Sequence, residues 1–147
     1  MKRVSMSGLF IWISSIILFF MIPINNIDKD LQNYYKEYMD LAKSECNKIK
    51  PPTQFSIRFG KLSDDNIGVC TYYLNRREIL IDISYWRMSN LETRKQLIFH
   101  ELTHCILDMH HIDLESNYMN PYLLELPEEE LYNQVKQNMH TFCNNRG

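Results

Sequence analysis

The sequence predicts an α+β domain in which a mixed sheet packs on an N-terminal helix and on a second, longer helix, with a C-terminal helix completing the fold. Three observations carry that prediction. Apolar and polar residues alternate in short runs between residues 55 and 86, the period of half-buried strands. On either side, apolar residues recur at three- and four-residue steps, the period of amphipathic helices. At 147 residues the chain is long enough for one hydrophobic core and too short for two comfortable ones. A net charge of −2, with no stripe of aromatics among Lys and Arg, gives little attraction for phosphate backbones, so nucleic acid is not an expected partner.

The chain begins with Lys2 and Arg3, then carries no charge over residues 4–24. As a helix that run reaches about 30 Å, enough to cross a bilayer core. It reads as a transmembrane signal anchor or a cleaved signal peptide. The absence of an Ala-x-Ala-like site near its end favours the anchor. The division expected is residues 1–26 for this segment and 27–147 for the domain. The positive charges at the start keep the N-terminus cytoplasmic and place the domain outside, membrane-anchored, or secreted if the segment is cleaved.

Four cysteines, Cys46, Cys70, Cys105 and Cys143, fit an exported domain. They allow three disulfide pairings. The pairing expected is Cys46 with Cys143, joining the first and last helices, and Cys70 with Cys105, tying a strand to the long helix. Four unpaired buried thiols are the alternative.

Along the domain, residues 25–30 read as a polar junction. Ile27, Leu31, Tyr34, Tyr35, Tyr38, Leu41, Ala42, Cys46 and Ile49 then mark a helix that Pro51 and Pro52 terminate. Phe55, Ile57 and Phe59 mark a strand, residues 60–66 a loop, and residues 67–74 and 78–86 two strands of a hairpin. In the second of these Ile79, Ile81, Ile83 and Tyr85 share a face. Ser89-Asn90-Leu91-Glu92 has the pattern of a capping box, with Ser89 as the cap of the long helix. Pro127 followed by Glu128, Glu129 and Glu130 starts the last helix, whose inner face holds Leu131, Val135, Met139 and Phe142. His140 has no partner at ligand spacing and reads as structure or surface.

The long helix ends in His100-Glu101-Leu102-Thr103-His104-Cys105-Ile106-Leu107-Asp108-Met109-His110-His111. Four residues apart on a helix, His100 and His104 share a face and can present both imidazoles to one metal ion, with Glu101 in reach of a water there. A catalytic zinc takes three protein ligands and leaves a fourth position open. Together with Tyr118-Met119-Asn120-Pro121-Tyr122 downstream, this arrangement resembles the metzincin zinc peptidases with their Met-turn, and most of all the short bacterial and phage metallopeptidases of that type. The resemblance spans residues 67–122, including the strands that hold Gly68-Val69-Cys70 and Ile81-Asp82-Ile83-Ser84-Tyr85-Trp86.

The resemblance implies a small zincin-like domain, a Zn2+ cofactor and a protein or peptide substrate. Glu101 is then the general base toward a zinc-activated water. Met119 forms the turn beneath the ligands, and Pro121 and Tyr122 wall the pocket for the side chain after the scissile bond. Tyr122 packs there or donates to the oxyanion. A strand ahead of the metal helix would take an extended peptide by edge addition, as metzincins do. One departure decides the third ligand. Metzincins place a helix-breaking glycine where this chain has Leu107, and Asp108, the next residue, tolerates a left-handed backbone better than leucine does. A break at Asp108 shifts the return by one residue, making His111 the expected third ligand and His110, at the standard spacing, the alternative. A rival reading is a disulfide-stabilised extracytoplasmic binding module whose zinc is structural or absent. A narrower one is a zinc hydrolase for a bond other than an amide.

Overall fold

The computed structural model describes residues 24–63 and 65–145. Four strands, β1 (Ile24–Ile27), β2 (Gln54–Gly60), β3 (Gly68–Tyr72) and β4 (Arg76–Asp82), form one mixed sheet in the order β1-β2-β4-β3. β1, β2 and β4 run parallel, and β3 lies antiparallel to β4 on the outer edge. Among the described residues four α-helices accompany it: α1 (Gln32–Glu45), α2 (Ile83–Met88), α3 (Leu91–Leu107) and α4 (Glu128–Asn145). The class is α+β with a mixed sheet. Among the described residues no helix is long and apolar enough to cross a membrane, and the uncharged run before Ile24 lies outside them.

The alternation in β2 and β4 separates two faces. Phe55, Ile57, Ile79 and Ile81 are buried against the helices, where Leu97, Ile98, Leu102 and Ile106 of α3, Tyr38 and Ala42 of α1 and Val135 and Met139 of α4 complete the core. On the other face Glu78 accepts from Arg58 at 2.7 Å and from Arg76 at 2.9 Å. Arg58 beside it holds the Glu78 carboxyl below its ordinary range. Lys95 of α3 bonds Glu37 of α1 at 3.0 Å and Glu128 of α4 at 2.5 Å, so one ammonium links three helices. The disulfides join Cys46 to Cys143 and Cys70 to Cys105, with Cα separations of 5.9 and 5.6 Å, the pairs expected from the sequence. His140 is a surface residue paired with Glu45 at 2.8 Å.

Four boundaries differ from the sequence reading. Residues 24–27 form the edge strand β1 where a polar junction was expected from residue 25, with Asn25 and Asn26 in register with Phe55 and Ser56. The helix expected to run to Ile49 stops at Glu45, because Cys46 turns to an extended backbone (φ −156°, ψ 100°) at its disulfide. β4 ends at Asp82 instead of continuing to Trp86: the Asp82 carboxylate accepts from the amides of Ser84 and Tyr85, both at 2.9 Å, and caps α2. α3 is capped by Asn90, whose side chain accepts from the Thr93 amide at 2.8 Å. The Ser89 hydroxyl is instead engaged with the Tyr85 carbonyl at 2.7 Å, closing the end of α2.

Candidate metal centre

The site is built from the last two turns of α3 and from the segment 108–127, which has no regular secondary structure. The helix stops where the chain takes a left-handed step at Asp108 (φ 61°, ψ 32°), and the Asp108 amide donates to the His104 carbonyl at 3.1 Å. Aspartate enters that conformation at lower cost than the leucine before it. From there the chain turns back over the helix and brings His111 to the two helical histidines. His100, His104 and His111 each offer a ring nitrogen, and the three atoms lie within 4.8 Å of one another. His110 is exposed and outside this trio, although it lines the cavity beside His104.

Hydrogen bonds at the far side of each helical imidazole fix its tautomer. His100 Nδ1 lies 2.8 Å from the Tyr118 carbonyl oxygen, and His104 Nδ1 lies 2.5 Å from the Met109 carbonyl oxygen. A carbonyl oxygen only accepts, so both Nδ1 atoms carry the proton. In the neutral rings each Nε2 is then a bare lone pair. Yet His100 Nε2 is 3.0 Å from His104 Nε2 and 3.2 Å from His111 Nε2. Two lone pairs at that distance repel unless a cation lies between them. Two nitrogens bound at 2.0–2.1 Å to a tetrahedral zinc stand about 3.3–3.4 Å apart, so the donor set fits such an ion.

The electrostatics favour neutral ligands. Burial pushes the His100 pKa down to about 4, against the opposing pull of its bond to Tyr118, and lowers that of His104 for the same reason. Metal and proton compete for the same lone pair, so low proton affinity keeps the site ready for metal.

Glu101, only 5% exposed, is pushed up to about 8 by burial. It packs against the backbone of β3 at Gly68. A Cβ at that position would stand 2.5 Å from Glu101 Oε1, closer than any side chain permits. Gly68 therefore exists as the space that Glu101 fills, a requirement the sequence reading did not identify.

The segment 108–127 is held by side chains reaching its backbone. Gln134 of α4 accepts the Tyr118 amide at 2.9 Å and donates to the Ser116 carbonyl at 2.7 Å. The Asn117 side chain accepts the Met119 amide at 2.8 Å, and the Met119 carbonyl accepts the Ile112 amide at 2.9 Å, next to His111. Met119 itself is fully buried beneath this turn. The Thr103 hydroxyl donates to the Phe99 carbonyl at 2.8 Å and so accepts from the hydroxyls of Tyr38 at 3.0 Å and Tyr118 at 2.9 Å. Asn138 donates to Tyr118 from the other side at 3.0 Å, and burial pushes the Tyr118 pKa up to about 12. This chain of buried donors joins α1, α3, the Met119 turn and α4 directly behind the histidines.

On the sheet side, β3 is stitched to the end of α3. Besides Cys70–Cys105, the Tyr72 hydroxyl donates to the His104 carbonyl at 2.5 Å and Arg77 donates to the Cys105 carbonyl. Two cavities flank the trio and share Asn66, Gly68, Glu101 and His111. One, of about 350 Å³, has Ile67, Tyr85, Leu97, Pro121, Tyr122 and Leu123 in its wall; the other, of about 520 Å³, runs along Val69, Cys70 and Tyr72 on the edge strand. Glu101 sits between them. Tyr118, Gln134, Thr103 and Tyr72 were not singled out from the sequence for the site, and only the tyrosine beside Met119 carried any local signal.

No protein-family model, no curated protein and no solved structure matches the chain.

Proposed function

We propose that the chain is a zinc-dependent endopeptidase of the metzincin type, acting outside the cytoplasm on a protein or peptide while held to the membrane by the segment before Ile24. The observation that carries this reading is the pairing of His100 and His104, whose Nε2 lone pairs face each other at 3.0 Å, with a buried carboxylate one residue from His100. His100, His104 and His111 would hold the ion. Zinc, when bound, supplies the Lewis acidity that polarises a carbonyl and lowers the pKa of water.

Glu101 takes a proton from water and delivers it to the departing amine. For that it must exchange a proton near neutral pH, and burial holds its pKa up while a cation at the histidines opposes the shift. The free edge of β3 offers backbone donors and acceptors to an extended peptide, which would lie with its scissile carbonyl over the trio. Pro121 and Tyr122, with Ile67, Leu97 and Leu123, line the cavity on one side of Glu101, which suits a large apolar side chain after the scissile bond.

The test pairs metal content with cleavage. The wild-type chain should bind one zinc and cleave an unstructured protein. The Glu101→Gln chain should keep its zinc and lose roughly 10²–10⁴-fold in rate. Normal cleavage by that variant sinks the mechanism, and a zinc-loaded wild type that cleaves nothing favours the binding-module reading.

A further inference from the structure

We propose that the end of the sheet at which the chain enters the domain is a membrane-contact face, where the β3–β4 tip carrying Tyr73 and Leu74 enters the interface of an anionic bilayer and Lys48 and Lys50 meet its headgroups. The sheet register places these groups together. Ile24 pairs with Gln54 and Gln54 with Arg76 across parallel strands, so β1, β2 and β4 all begin at one end. The tip, residues 73–75, immediately precedes Arg76. Two strand spacings separate Arg76 from Ile24, about 10 Å. The uncharged run of residues 4–24 ends at the same edge. Once that run spans a bilayer, the tip has to lie at the depth of the lipid interface.

The chemistry of this end suits that depth. Leu74 is 99% exposed and Tyr73 55%, an apolar and an aromatic side chain on a projecting turn, with the Arg76 guanidinium 6.0 Å from the Tyr73 ring centroid. Tyrosine with an aliphatic neighbour and flanking Arg or Lys is the composition of interfacial anchors. The loop entering β2 adds Lys48 and Lys50, both exposed and without an ion pair among the described residues. The acids nearby are already engaged: Glu78 with Arg58 and Arg76, and Glu45 with His140 and Lys136. At the opposite end, past the ends of β1 and β2, Asp28, Asp30 and Asp65 stand with Lys29 and Lys61. The entry end is thus set apart by its exposed apolar tip beside cations, where the far end mixes lysines with acids.

This inference rests on the segment before Ile24 being the anchor and is independent of the peptidase reading. The full chain is placed in nanodiscs of phosphatidylcholine and phosphatidylglycerol with p-benzoylphenylalanine at position 74, or at position 61 in the loop at the far end. Illumination should yield lipid adducts from Leu74→p-benzoylphenylalanine and few from Lys61→p-benzoylphenylalanine. Adding Lys48→Glu and Lys50→Glu should cut the adducts at 74, with each lost cation weakening contact by about fivefold, while zinc content stays unchanged. A chain that stays with the discs but forms no lipid adduct at 74, equal adducts at both positions, or adducts only with a second copy of the chain overturns the contact face alone. A chain that does not stay with the discs overturns the anchor and the contact face together.

Discussion

Two halves of the candidate metal centre are held in different ways. His100, Glu101 and His104 ride on α3, whose backbone bonds fix them and whose final turns are stitched to β3 and β4 by Cys70–Cys105, Tyr72 and Arg77. His111 and the Tyr118 carbonyl ride on a segment without regular structure, placed by Gln134, Asn117 and the Met119 carbonyl. A helix positions ligands through local spacing. An irregular segment does so only through bonds made at long range. The helical half should therefore keep its histidines in place when a single distant contact is lost, while the loop half should lose metal affinity when one side chain far along the chain is changed.

The largest effect should come from the ligand that the loop supplies. His111→Ala should abolish tight zinc binding, a greater loss than the 10–100-fold that changes behind the ligands usually cost. His110→Ala should leave zinc binding near wild type. Equilibrium dialysis of both variants decides it, and the opposite ranking would return the third ligand to His110 and the standard spacing.

The disulfides separate global stability from site geometry. Removing Cys46–Cys143, which closes 97 residues, should cost about 4–5 kcal/mol in the chain-entropy account, and removing Cys70–Cys105, which closes 35, about 4 kcal/mol. Both losses are readable by denaturant unfolding. Only the second bridge joins the edge strand to the helix that carries His100 and His104, so only Cys70→Ala with Cys105→Ala should also slow the proposed cleavage under folded conditions. Equal effects on cleavage would mean that stitching to β3 has no special part in the site.

Burial of Glu101 gives a smaller effect with a defined sign. In the metal-free chain its folded pKa is raised from 4.5 to about 8. Its contribution is unpenalised below pH 4.5 and is lost as pH rises toward 8, because the unfolded carboxyl ionises freely while the buried one resists. The deficit above that window is a few kcal/mol at most. Metal-free Glu101→Gln should consequently be more stable than metal-free wild type at pH 8.5, with the difference closing by pH 4.5. His100, lowered to about 4, works in the opposite direction at acid pH but is common to both proteins. Urea unfolding in chelator at the two pH values reads the difference, and a gap that is independent of pH would show that burial is not its cause.

The same division explains which features the sequence revealed. α3 was legible because its apolar period, its acidic first turn and the histidine spacing are all local, and Asp108 was legible as the break because only a few residue types enter a left-handed backbone. Its cap was misplaced by one residue because Ser89 and Asn90 are both competent, and only the packing of α2 reveals that Ser89 is already engaged. β4 was read too long because Ile83 and Tyr85 continue the alternation across the cap made by Asp82. β1 was hidden in what reads as a polar junction after the apolar run, since strand pairing with β2 is a long-range property. The Gly68 requirement and the Gln134 brace were illegible for the same reason: each depends on a partner far away in the chain.

The smallest effect separates the two halves most directly. Gln134 lies on α4 and touches no ligand, yet both ends of its amide hold the loop: the oxygen accepts from Tyr118 N–H and the nitrogen donates to the Ser116 carbonyl. Tyr118 in turn presents its carbonyl to His100. Gln134→Ala should lower zinc affinity by about tenfold, the lower limit for changes behind a ligand. Gln134→Glu keeps the acceptor but turns a carboxylate toward the Ser116 carbonyl and the Glu130 carboxylate, both of which now accept from the amide at 2.7 Å, so it should lose at least as much as Ala. A brace on α3 of the same rank offers the control: Thr103→Val removes the hydroxyl from the network while the helix keeps His100 and His104 in place. If the two halves are held as argued, Thr103→Val should cost stability on unfolding and little zinc affinity, whereas Gln134→Ala should show the reverse. Equal losses of affinity would mean that the loop and the helix are one cooperative unit at the metal.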